Sequence, residues 1–140
     1  MALKWQSECE KTQTSALRVL IVDDNVDAAQ LMGMLLEESG HDVRKVYDGL
    51  AALEVFAKYR PNVVLLDIGL PGIDGFEVAT RMRENPDISG VVLIALTGYG
   101  RDTDKQRSLN AGFDYFLVKP TNFKKVLQII ASVSESVLPK

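Results

Sequence analysis

Four apolar runs in this chain each end in a residue able to do chemistry. Residues 19–22 (Val-Leu-Ile-Val) lead into Asp23-Asp24, and 63–66 (Val-Val-Leu-Leu) lead into Asp67. Residues 91–96 (Val-Val-Leu-Ile-Ala-Leu) lead into Thr97, and 116–118 (Phe-Leu-Val) lead into Lys119-Pro120. Near-continuous Val, Leu and Ile runs mark strands covered on both faces, as in a parallel sheet. In open α/β sheets ligands bind outside the carboxyl ends of the strands. The pattern therefore predicts three carboxylates, a hydroxyl and an ammonium at one sheet edge.

Helical spacing fills the gaps between the runs. Residues 27–39 place Ala28, Leu31, Met32, Leu35 and Leu36 on one face, with Gly40 as the stop. Residues 42–46 form a further strand, followed by the turn pair Asp48-Gly49. Helices are predicted over 50–59, 74–84, 102–110 and 122–137, and strands over 17–22, 62–66, 91–96 and 113–118. The sum is five strands, each followed by a helix. Alternating βα units imply a doubly wound parallel α/β sheet with right-handed crossovers. An eight-stranded barrel would need about 250 residues, and the chain has 140.

Residues 1–16 are polar and aperiodic apart from Trp5, and are read as a flexible lead or linker. A short amphipathic helix around Leu3 and Trp5 is the less favoured alternative. The domain proper is expected over 17–138. A hydrophobic content of 46% suits one domain with a real core. The net charge of -3 gives no electrostatic reason to expect nucleic-acid binding. Arg101, Lys105 and Arg107 come closest to a basic stripe and are read as a solvated helix face. The single cysteine, Cys9, excludes an intramolecular disulfide and has no partner histidine or basic cluster beside it. No apolar run approaches the ~18 residues of a membrane span, and a cytoplasmic location is expected. The single histidine, His41, falls in the turn after the first helix and is expected at the surface, on the far edge of the sheet.

Three carboxylates drawn together repel one another unless a cation joins them. An oxygen-rich site with room for water suits Mg²⁺, above all beside a phosphoryl group. The competing role for such acids is helix N-capping. A carboxylate can also act as a nucleophile towards phosphorus. Phosphoryl transfer needs in-line positioning and neutralisation of oxygen charge. An ionised nucleophile needs no base, in keeping with the absence of a usable histidine.

The segments Leu20-Ile21-Val22-Asp23-Asp24-Asn25, Leu65-Leu66-Asp67-Ile68-Gly69-Leu70-Pro71-Gly72-Ile73-Asp74-Gly75, Leu96-Thr97-Gly98 and Phe116-Leu117-Val118-Lys119-Pro120 resemble the receiver domain of two-component response regulators, of the CheY-like superfamily. The resemblance implies a flavodoxin-like sheet in the order 2-1-3-4-5 with five helices. It implies Asp67 as phosphoacceptor, with Asp23, Asp24, Asp67 and the Gly69 backbone carbonyl around Mg²⁺. Thr97 and Lys119 would bind the phosphoryl group, and Pro120 would follow a cis peptide bond. Phe116 matches the switch aromatic that moves with Thr97, which makes the fourth helix, fifth strand and fifth helix the output face. Self-association through that face is a further option.

The implied partner is a sensor histidine kinase or a histidine phosphotransfer protein. The resemblance implies that the positions of Gly69 and Tyr99 would affect how water reaches the phosphoryl group, and that Gly98 would leave access open. The wording around Asp67 leans towards receivers attached to hybrid kinases. Three other readings stay in view. A haloacid dehalogenase-type phosphatase would need a second Asp where Gly69 stands. A flavodoxin-like cofactor protein would need a phosphate-cradling loop where Asp23-Asp24 stand. The third is a receiver fold used for phosphorylation-independent binding.

Overall fold

A computed structural model describes residues 16–86, 88, 90–98 and 102–137. Among the described residues ten elements alternate: β1 Arg18–Val22, α1 Val26–Glu38, β2 Asp42–Val46, α2 Gly49–Tyr59, β3 Val63–Asp67, α3 Gly75–Arg83, β4 Val92–Thr97, α4 Asp102–Ala111, β5 Tyr115–Val118 and α5 Phe123–Val137. The strands form one parallel sheet in the spatial order β2-β1-β3-β4-β5. Fold class and strand order are those expected, and element boundaries agree to within two residues. The expectations placed on Leu3, Trp5, Cys9, Tyr99, Arg101 and Leu138 concern positions outside the described residues.

Successive side chains of a strand point to opposite faces, and this divides the core in two. Leu20, Val22, Val64 and Leu66 pack with Phe56, Val78 and Met82 on the α2–α3 side. Val19, Ile21, Leu65 and Ile94 pack with Leu36, Val126 and Ile130 on the α1–α5 side. All five residues of β3 are buried, the mark of a central strand. Each fully buried Leu, Ile or Val contributes about 1.5–3 kcal/mol relative to exposure, so β1 and β3 anchor whatever stands at their ends.

Helix entries are set by local capping. The side chains of Asn25, Asp48 and Asp74 accept from the amides of Ala28, Ala51 and Glu77 at 3.1, 2.8 and 2.9 Å. Among the described helices, α4 is the most weakly anchored. Its one buried residue is Ser108, whose hydroxyl donates back to the Asp104 carbonyl at 2.9 Å. Arg107 of the expected basic stripe lies over the Phe76 ring of α3, 4.0 Å from its centroid.

His41 corrects one expectation. It does sit in the turn between α1 and β2, yet it is only 7% exposed. Its Nδ1 accepts from the Leu17 amide at 3.1 Å. The bond seals the entry to β1, and burial pushes the imidazole pKa below its ordinary value.

Candidate functional site

The carboxyl ends of β1, β3, β4 and β5 bring Asp23, Asp67, Thr97 and Lys119 to one edge. Register does the positioning. Leu66 stands beside Val22, Asp67 beside Leu96, and Thr97 beside Val118. The ladders continue one step past the strands. The amides of Asp23, Ile68 and Lys119 donate to the carbonyls of Val46, Leu96 and Thr97 at 3.2, 3.0 and 2.6 Å. The backbone under each site residue is therefore fixed.

Asp23 and Asp67 are buried and arranged alike. Asp23 Oδ1 accepts from the Asn25 amide at 2.9 Å, and its Oδ2 accepts from Lys119 Nζ at 3.2 Å. Asp67 Oδ1 accepts from the Gly69 amide at 2.8 Å, and its Oδ2 accepts from Lys119 Nζ at 3.0 Å. One ammonium thus bridges two buried carboxylates. Asp24 is exposed and offers an oxygen to the same group, with the ligand atoms of all three acids within 4.8 Å of one another.

The electrostatics follow from burial and pairing. Burial raises the Asp23 carboxyl above its ordinary value, helped by the Asp67 charge and opposed by the Asn25 amide and Lys119. Burial works against the Lys119 charge as well. The hydrogen bond and charge of Asp67, joined by Asp23, outweigh it and raise the ammonium.

Capping does not occupy the acids. The N-cap of α1 is Asn25, and α3 starts at Gly75 behind its own cap, Asp74. Sequence reasoning passed over Asn25, which caps α1 and also orients Asp23 through its amide. The run Asp-Asp-Asn before an amphipathic helix carried that signal. Thr97 is buried at the end of β4. The Lys119–Pro120 peptide is cis.

Hard carboxylate oxygens on an open, water-accessible rim suit a small divalent cation that keeps part of its hydration shell. Asp23, Asp24 and Asp67 supply such oxygens within 4.8 Å of one another, two from buried carboxylates and one, from Asp24, open to solvent. The Gly69 carbonyl lies in the loop directly after Asp67.

Phe116 stands beside Ala95 on the α4 side of the sheet and is half-buried against the α2–α3 core. A cleft of about 220 Å³ separates it from α4, lined by Lys105, Ser108, Leu109 and Phe113. Leu109 and Tyr115, which also line it, are exposed.

An open parallel sheet with an acidic cluster, a hydroxyl and a lysine at its carboxyl edge places a polar candidate site where α/β sheets bind ligands. The chain belongs to the response regulator receiver domain family, whose model matches residues 19–131. It is similar to the polar-differentiation response regulator DivK of Brucella anthropi, 30% identical over 114 residues, covering 81% of this chain and 93% of that one. It is also similar to the DNA-binding dual master transcriptional regulator RpaA of Synechocystis, 32% identical over 110 residues. That match covers 79% of this chain and spans 46% of RpaA. The receiver domain structure from Methanospirillum hungatei superposes with a TM-score of 0.80 at 30% identity, covering 87% of this chain and 96% of that one. The protein is a receiver module of two-component signalling, and membership sets aside the phosphatase and flavodoxin readings.

Proposed function

We propose that Asp67 accepts a phosphoryl group from a phosphohistidine donor on a sensor kinase or a phosphotransfer protein. An oxygen of the ionised Asp67 carboxylate attacks phosphorus in line. The P–O bond forms as the P–N bond breaks, and the imidazole leaves with its electron pair. Lys119 takes one phosphoryl oxygen and the Thr97 hydroxyl another. Asp23, Asp24, Asp67 and the Gly69 carbonyl hold Mg²⁺, which would neutralise charge on the transferring group. The chain thereby catalyses its own phosphorylation and its later hydrolysis. Its site of action is the cytoplasm.

The observation that supports this reading best is the Lys119 bridge between two buried acids. Charge-assisted bonds of this kind hold a nucleophile in register. Asp67 keeps one side on the Gly69 amide and the other on the Lys119 ammonium, which also holds Asp23. Labelling with acetyl phosphate tests the assignment. Asp67→Asn abolishes hydroxylamine-sensitive label, and EDTA stops labelling without unfolding the domain. Label that persists in Asp67→Asn removes the assignment, and label that survives EDTA removes the metal role.

The output is read as a two-state shift. Thr97 moves towards the phosphoryl group and Phe116 swings into the α4–β5 cleft. The slight apolar anchoring of α4 keeps the cost of that motion low. A second copy or a downstream protein would then read the α4–β5–α5 face. Phe116→Ala retains labelling and weakens the response of a partner, whereas equal loss of both refutes the switch.

A further inference from the structure

We infer that Gly75, backed by Gly49, is a positioning residue for the acidic site. This rests on the reading of Asp67 and Gly69 given above. Gly75 is the buried first residue of α3, and its amide lies 3.4 Å from the Ile68 carbonyl. A Cβ at this position would overlap Ile68 Cα and stand 2.8 Å from the Asp67 carbonyl oxygen. Those are backbone atoms with no rotamer through which to escape. Gly49, the buried first residue of α2, presses on the other end of the same loop. A Cβ there would stand 2.5 Å from Ile73 Cγ2 and 2.8 Å from Val78 Cγ2. Both neighbours are β-branched and stiff at χ1.

Neither glycine is among those with a left-handed backbone, so the demand is for space and not for conformation. Gly40 is the reverse case, with a φ of +99° and nothing within 4 Å of an added Cβ. The two helix starts therefore clamp the loop from Asp67 to Asp74 at both ends. Gly69 lies between the clamps. A shift of the Asp67–Ile68 backbone would open the 2.8 Å bond to the Gly69 amide and the 3.0 Å bond to Lys119 together. An ångström of misplacement at a reacting group can cost about 10²-fold in rate.

The test compares Gly75→Ala, Gly49→Ala and Gly40→Ala. The readouts are the Gly69 amide resonance in metal-free protein, Mg²⁺ affinity by calorimetry, and the acetyl phosphate labelling rate. Gly75→Ala moves the Gly69 resonance upfield, weakens Mg²⁺ about 10–100-fold and slows labelling about 10²-fold. Gly49→Ala does the same to a smaller degree, and it decides the matter if Gly75→Ala does not fold. Gly40→Ala lowers stability and leaves all three readouts unchanged. A folded Gly75→Ala or Gly49→Ala with the wild-type resonance and Mg²⁺ affinity overturns the inference, as do equal losses in Gly40→Ala. The Gly69 resonance needs neither metal nor phosphoryl donor. A wild-type protein that fails to label would count against the phosphoacceptor reading alone.

Discussion

The two ends of the sheet use polar groups in opposite ways. At the amino ends, polar groups close on one another. His41 accepts from Leu17, Asn62 Oδ1 accepts from the Arg18 amide, and the Arg18 guanidinium donates to the carbonyls of Tyr59 and Arg60. The Tyr59 hydroxyl donates to the Asp42 carboxylate at 2.7 Å, and Arg44 lies over its ring. At the carboxyl ends, three acids cluster and two of them, Asp23 and Asp67, share one lysine. The first edge is built for the folded state. The second holds like charges together at a cost to stability, a pattern expected where a site needs a partner to complete it.

Substitutions at the carboxyl edge should therefore change chemistry more than folding, and those at the amino edge the reverse. Beyond removal of the Asp67 nucleophile itself, the largest effect is expected from Lys119→Ala. Loss of one preorganised donor to the transferring group lowers the phosphorylation rate about 10²–10³-fold, measured by single-turnover labelling. Asp23→Asn is next. It weakens Mg²⁺ about 10–100-fold, while the thermal midpoint holds or rises because a buried like charge is gone. A fall in the midpoint would show that the acids support the fold.

His41→Ala tests the other edge. It strands the Leu17 amide and costs about 2 kcal/mol of stability in denaturant, with the labelling rate unchanged. A loss of labelling would break the division between the two edges. The smallest effect is a pH dependence. Burial lowers the folded-state pKa of His41, so the unfolded chain takes up its proton first as pH falls. The contribution is complete above about pH 6.5 and is lost as pH drops below that value towards the lowered one. His41→Gln should flatten that part of the stability profile.

Much of the carboxyl edge was legible because its signal is local. An apolar run followed by Asp, Thr or Lys is visible in a few consecutive residues. The alternation of such runs with helical spacing fixes their direction and brings their ends together. The amino edge was not legible in this way. His41 is buried by a bond to Leu17, 24 positions away, and nothing in the sequence around it marks that contact. Arg83 is similar. Its guanidinium donates to the carbonyls of Gly112 and Val91 and to the Asp114 carboxylate, tying α3 to both ends of the β4–α4 segment across long stretches of chain. Gly49 and Gly75 read as turn and helix-start residues. Their close approach to Ile73, Val78 and Ile68 depends on how two helices pack.

The position that carries the phosphoryl group is the most direct test. Borohydride reduction converts an aspartyl-phosphate into homoserine, and peptide mass spectrometry then locates it. After acetyl phosphate and Mg²⁺, homoserine is expected at position 67 and is absent when EDTA is added first. Homoserine at Asp23 or Asp24, or none anywhere in a labelled sample, would contradict the assignment of Asp67 as the nucleophile.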